Sequence, residues 1–154
     1  DRHLIASEFL SSLKKDRCPL PSIALTTDTS ALTAIGNDYG FLYVFERQVK
    51  ALVGQDDTVI GISTSGTSAN VLNGLRAAKQ AGAKTVLMTG KSVTSSLEYD
   101  CVLNVHSDVV ATIQEVHIQF GHMLCGISEL GYVYGHLNFV RCACHQTALS
   151  LVNA

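Results

Sequence analysis

Six consecutive residues, Ser63-Thr64-Ser65-Gly66-Thr67-Ser68, set five hydroxyls around one glycine. They follow the apolar run Thr58 to Ile62 and lead into Ala69 to Ala78, whose apolar spacing is helical. A strand that ends where a helix begins turns the helix's unsatisfied first-turn N–H groups, and the positive end of its dipole, into the connecting loop. The junction therefore suits an anion. The hydroxyls add further donors. The loop contains no Lys or Arg, so a phosphate bound there would be held mainly by neutral groups. A Ser/Thr-rich turn with an N-cap is the plainer alternative, but one hydroxyl meets that need and five exceed it.

Acid/base candidates lie at both ends of the chain. Glu8 sits amid Ile5, Ala6, Phe9 and Leu10, where an ionised carboxylate is costly unless paired or functional. Its ordinary reading is a place on the solvated face of an amphipathic helix. Gln114 and His122 are eight residues apart, about two helical turns, and so project along one face. His117 falls off that line and reads as a core residue. Asn37-Asp38, between Gly36 and Gly40, reads as an Asx-type turn. Cys142-Ala143-Cys144-His145 has metal-ligand chemistry, but Cys-x-Cys is an uncommon zinc spacing and the chain offers no second pair.

These groups need elements to hold them. Leu4, Ile5, Phe9, Leu10 and Leu13 recur at three- and four-residue spacing, giving an amphipathic helix over residues 1–15 that Pro19 and Pro21 cannot continue. Ser22 to Thr27 reads as a short buried strand, Asp28-Thr29-Ser30 as a cap, and Ala31 to Ile35 as a brief helix. Phe41, Val44, Phe45, Val49 and Leu52 mark another helix, ending near Gly54. The helix after the hydroxyl loop stops at Gly82. Lys84 to Met88 and Cys101 to Val105 are the next strands, and alternation of this kind gives a parallel sheet covered on both faces. Val109 to Leu130 is the longest candidate helix, with apolar residues too evenly spread for a simple surface helix, as at a subunit interface. Residues 132–136 are loop-like, and Asn138 to Val152 read as a helix.

The chain has 154 residues, of which 47% are hydrophobic and 16% charged, with net charge −2. That is one domain's worth, and its apolar balance favours an oligomer. The absence of a Lys/Arg cluster argues against nucleic acid as the main partner. No apolar run reaches the ~18 residues of a membrane span, so a soluble, cytoplasmic protein is expected. Five cysteines without a regular framework read as reduced thiols in a core.

Three separated stretches carry a resemblance: Pro21 to Phe45, Gly61 to Asn70, and Ile113 to Cys125 (Ile-Gln-Glu-Val-His-Ile-Gln-Phe-Gly-His-Met-Leu-Cys). In order and content they resemble the phosphoheptose isomerases of the SIS (sugar isomerase) fold, over roughly residues 1–130. The resemblance implies a three-layer α/β/α, flavodoxin-like subunit with a parallel sheet. It also implies a homotetramer whose sites combine residues from neighbouring subunits. The family's first helix and first strand would precede Asp1, so residues 1–131 would form an N-terminally incomplete SIS domain and 132–154 an extension of unknown role.

The activity implied is conversion of D-sedoheptulose 7-phosphate to D-glycero-D-manno-heptose 7-phosphate, toward the heptose of lipopolysaccharide. Carried over by position, Ser63, Thr64, Ser65 and Ser68 would hold the phosphate, and Asn37 and Asp38 would line the substrate site. Gln114 would contact substrate and metal, and Glu8 and His122 would be the acid/base pair. Some members carry zinc, here implied on Glu8, Gln114 and His122. A further metal-binding His of the family falls at Leu4, and His3, one place away, is rotated by about 100° on a helix. The alternative is a non-catalytic SIS protein, either a sugar-phosphate sensor or a tetrameric adaptor in replication initiation.

Overall fold

A computed structural model describes residues 2–90, 98–134 and 149–153. The elements in chain order are α1 (Arg2–Leu10), β1 (Ser22–Ala24), α2 (Thr29–Tyr39), a 3-10 turn (Phe41–Tyr43), α3 (Val44–Leu52), β2 (Thr58–Ser63), α4 (Ala69–Gln80), β3 (Lys84–Thr89), β4 (Cys101–Asn104), α5 (Val110–Tyr134) and β5 (Leu149–Asn153). Among the described residues the strands form one sheet in the order β1-β5-β2-β3-β4, every pair parallel.

The period of two along β2 and β3 sorts their side chains between two cores. Val59 and Leu87 join Val44, Phe45 and Val49 of α3 and Val71, Leu75 and Ala78 of α4 in one. Ile60, Ile62 and Met88 join Ile5, Ala6 and Phe9 of α1 and Cys125 of α5 in the other. This is the three-layer α/β/α arrangement with a covered parallel sheet that the sequence leads one to expect. The cap at Asp28 is present too: its Oδ1 accepts the Ala31 N–H at 2.9 Å.

Several local readings need correction. The first helix stops at Leu10, short of Lys15, because the amides of Leu13 and Lys14 turn out of helical register to donate to the Glu129 carboxylate on α5. The second helix is longer than Ala31–Ile35 and runs through Gly36, Asn37 and Asp38, so these form its last turn and not a separate Asx turn; the chain breaks at Gly40 instead. The last helix continues past Gly131 to Tyr134, where a loop was expected. Leu149–Asn153, expected to be helical, is a strand lying between β1 and β2 with its backbone paired to both, so part of the supposed extension belongs to the sheet. Of the cysteines, Cys125 is buried, but Cys18 and Cys101 are exposed and not in a core. Cys142, Cys144 and His145 lie outside the described residues.

Candidate functional site

The hydroxyl loop sits at the carboxyl end of a central strand, where parallel α/β sheets characteristically place their ligand sites. The end of β2 is fixed by close packing: a Cβ on Gly61 would stand 2.7 Å from Leu75 Cδ1 and 2.8 Å from Val71 Cγ1. Helix α4 therefore lies hard against the strand and aims its N-terminus at the loop. Gly66, at φ 69°, makes the turn, and its N–H closes onto the Ser63 carbonyl at 3.0 Å. The Gly90 N–H donates to the Thr64 carbonyl at 3.1 Å and ties the loop to the end of β3.

Within the loop the hydroxyls converge. Ser63, fully buried, bonds Ser68 Oγ–Oγ at 2.8 Å and approaches Ser65 Oγ at 3.4 Å. Thr67 donates its hydroxyl to Ser65 Oγ at 3.0 Å. Ser68 is the N-cap residue of α4 but makes no side-chain capping bond. Its hydroxyl is held by Ser63 instead, which is the excess over capping that the sequence displays. In the helix's first turn, Asn70 Oδ1 accepts the Val71 N–H at 2.9 Å and the Ser68 carbonyl accepts the Leu72 N–H at 3.0 Å. The cluster presents hydroxyls and helix-dipole charge, with no fixed cation among Ser63–Ser68.

Glu8 lies in the last turn of α1, half-buried, and its Oε2 is a buried oxygen without a hydrogen-bond partner. Helix α1 crosses α5 closely: a Cβ on Gly121 would collide with Ile5, and Cys125 Sγ faces the Ile5 carbonyl at 4.0 Å. His122, half-buried, follows Gly121 directly, so the helix bearing Glu8 packs where α5 carries His122. The Cys125 thiol is pushed up to about 11, mainly by burial and then by the neighbouring Glu8 carboxylate, with Arg17 working against it and Glu129 adding to it.

Gln114, two turns earlier on α5, is exposed. Asn37 and Asp38 are exposed at the end of α2, where Asn37 Nδ2 donates to Asp38 Oδ1 at 3.0 Å. The structure thus brings Ser63, Ser65 and Ser68 into direct contact and sets the Glu8 and His122 helices together. Among the described residues no hydrogen bond joins Glu8, His122, Gln114, Asn37 or Asp38 to the loop.

His117 is buried at 1% exposure, and neither ring nitrogen has a hydrogen-bond partner. Burial holds its basicity below the ordinary histidine value, and the Thr89 backbone, close without meeting hydrogen-bond geometry, works the other way. Two residues of this region were not singled out from the sequence, Arg17 and Glu129. Both are charged, yet their side chains are only 1% and 4% exposed. The available signal was Glu129 lying four residues, one helical turn, beyond Cys125 on an otherwise apolar helix face.

The unpartnered Glu8 Oε2 could take a cation or a donated hydrogen. Among the described residues, however, no group of three or more His, Cys, Asp and Glu side chains is placed to hold a metal ion. Leu4, at the implied fourth position, is 43% exposed and offers no donor. That leaves Glu8, Gln114 and His122 as the three donors of the implied set that would hold such an ion. No helix among the described residues is long and apolar enough to cross a membrane.

A doubly covered parallel sheet with a hydroxyl-rich loop at a strand-to-helix junction defines an α/β domain whose loop has the donors to accept an anion. The chain belongs to the SIS domain family, whose model matches residues 3–90. It is 54% identical over 129 residues to the phosphoheptose isomerase of Solidesulfovibrio magneticus, a match covering 84% of this chain and 63% of that protein. It is 50% identical over 132 residues to the phosphoheptose isomerase of Aquifex aeolicus, covering 84% and 68%. Among solved structures, a phosphoheptose isomerase from Francisella tularensis superposes with a TM-score of 0.76 at 40% identity, covering 81% of this chain and 68% of that one. One from Neisseria gonorrhoeae gives 0.71 at 41% identity, covering 82% and 68%. The chain thus spans a little under two thirds of the first of these relatives.

Proposed function

We propose that this chain is an aldose–ketose isomerase that converts D-sedoheptulose 7-phosphate to D-glycero-D-manno-heptose 7-phosphate. The observation that carries the reading is the Ser63–Ser65–Ser68 hydroxyl cluster at the N-terminus of α4, in a chain whose relatives are named phosphoheptose isomerases. In this reading Ser63, Thr64, Ser65 and Ser68 hold the phosphate, and Asn37, Asp38 and Gln114 contact the sugar. Anchoring the distant phosphate turns the proton transfers into steps within one complex.

The chemistry asks for one base and one acid. A proton leaves C1 of the ketose as the C2 carbonyl accepts a proton on oxygen, giving a C1–C2 enediol. A proton then returns to C2 as the O1 hydroxyl loses its own and becomes the aldehyde. Glu8 and His122 are assigned these transfers. The buried, unpartnered Oε2 of Glu8 supports this, since such an oxygen is costly unless something donates to it. A zinc ion on Glu8, Gln114 and His122 is our proposal for a cofactor and carries no step here; the metal content of the purified chain decides it.

The assembly we propose is a cytoplasmic homotetramer with sites shared between subunits. Met123, Ile127 and Leu130 lie along one face of α5 at 60%, 59% and 50% exposure, a stripe that a second copy would cover. Turnover of sedoheptulose 7-phosphate by wild type, Glu8→Gln and His122→Gln tests the assignment. Losses of about a hundredfold or more in each variant are expected for removal of a general acid or base. Equal turnover by Glu8→Gln would remove Glu8 from the mechanism, and binding without turnover by the wild type would favour a sensor.

A further inference from the structure

We propose that Arg17 and Glu129 form a buried latch that positions Glu8 for proton transfer. The inference rests on the isomerase reading above and adds two residues to it.

Helix α1 ends at Leu10, only two residues beyond its catalytic candidate, and a helix end leaves carbonyls without intrahelical donors. Arg17 supplies them. Its Nη2 donates to the Glu8 carbonyl at 2.8 Å, and its Nη1 donates to the Phe9 carbonyl at 2.9 Å and the Cys18 carbonyl at 3.0 Å. The planar guanidinium thus grips the backbone of Glu8 itself. Arg17 Nε stands 3.7 Å from Glu129 Oε1, an ion pair too long to be a hydrogen bond, and both side chains are almost fully buried. Glu129 in turn accepts the Leu13 and Lys14 amides, the latter at 3.1 Å on Oε2. One ion pair therefore joins the end of α1, the connection after it and α5, the helix that bears His122.

The arrangement separates holding from chemistry. Arg17 binds the Glu8 carbonyl and makes no hydrogen bond to the Glu8 carboxylate, whose Oε2 stays unpartnered. A direct bidentate pair would occupy that carboxylate and hold it ionised, which defeats a group that must both take and return a proton. Arg17 and Glu129 are thus positioning residues; Glu8 is the catalytic one.

Arg17→Lys tests the latch because it keeps the charge but loses the planar fork that serves several carbonyls at once. With sedoheptulose 7-phosphate, kcat should fall about ten- to a hundredfold while KM stays within about twofold, as expected for a misplaced catalytic group. In the Glu8→Gln background the same change should cost nothing more, because residues acting as a unit are non-additive. A loss that multiplies in the double variant, or one confined to KM, overturns the proposal. Turnover of Glu8→Gln at the wild-type rate overturns the reading of Glu8 first, and that result comes from the single variant alone.

Glu129→Gln with amide hydrogen exchange reads the latch without substrate, and also serves if Arg17→Lys folds poorly. Exchange at Leu13 and Lys14 should quicken about tenfold or more while α3 and α4 keep their protection, as for a local opening. Unchanged exchange at those amides would mean that there is no latch.

Discussion

Gly61→Ala asks whether the hydroxyl loop is held by packing beneath it. The added Cβ would lie 2.7 Å from Leu75 Cδ1, 2.8 Å from Val71 Cγ1 and 3.0 Å from Leu75 Cγ. Both neighbours are fully buried, and Val71 is β-branched with little rotamer freedom, so neither can turn aside. Helix α4 must then shift off β2, carrying the N-terminus that faces Ser63 to Ser68. Overpacking of this kind costs about 1–3 kcal/mol. For a chain of this size that is a fall in Tm of roughly 2–12 °C. Thermal unfolding followed by circular dichroism measures it. Steady-state kinetics should show KM raised, with kcat changed less, since the proposed phosphate anchor moves and the proposed acid/base pair does not. Combining Gly61→Ala with Leu75→Ala should destabilise by less than the two losses summed, because the new methyl partly fills the space that Leu75 leaves. An unchanged Tm for Gly61→Ala, or strict additivity in the pair, would refute the packing argument.

Two further outcomes follow from the site. Ser65→Ala removes the hydroxyl that both Ser63 and Thr67 approach, and should raise KM for the phosphorylated sugar about three- to tenfold with kcat nearly unchanged, as for loss of a neutral hydrogen bond; abolished turnover at unchanged KM would contradict this. His117, with its folded-state value lowered by burial, protonates more readily in the unfolded chain, so its contribution to stability is complete above about pH 6.5 and is lost progressively as pH falls through that value toward the lowered one. His117→Phe should flatten that part of the Tm–pH curve, and an unchanged slope would contradict it.

The sheet and the loop were legible in the sequence because each was over-determined. The run Thr58 to Ile62 is too short and too β-branched for a helix, and a glycine with five hydroxyls follows it at a helix start. The end of α1 was not legible, since what halts it is Glu129, more than a hundred residues away, taking the amides that a longer helix would use. Asn37 and Asp38 misled because a Gly-Asn-Asp-Tyr-Gly string has turn composition, while α2 packs against α3 and the 3-10 turn and is carried on to Tyr39. Leu149 to Asn153 carries a short apolar run whose periodicity does not separate helix from strand; its place between β1 and β2 is set by tertiary pairing. In the site, the hydroxyl cluster could be read from residue types alone. The Arg17–Glu129 pair could not: the place of Glu129 on the Cys125 face hints at a buried carboxylate, but nothing local to Arg17 marks a charge that will be buried.

The proposed isomerisation runs through an enediol on a phosphate-anchored heptose. Its most direct test is proton NMR of sedoheptulose 7-phosphate incubated with the chain in heavy water. Aldose anomeric signals should appear with deuterium entering at C2, and both should fail to develop with Glu8→Gln. Ketose left unchanged by the wild type, or aldose formed equally fast by Glu8→Gln, would contradict it.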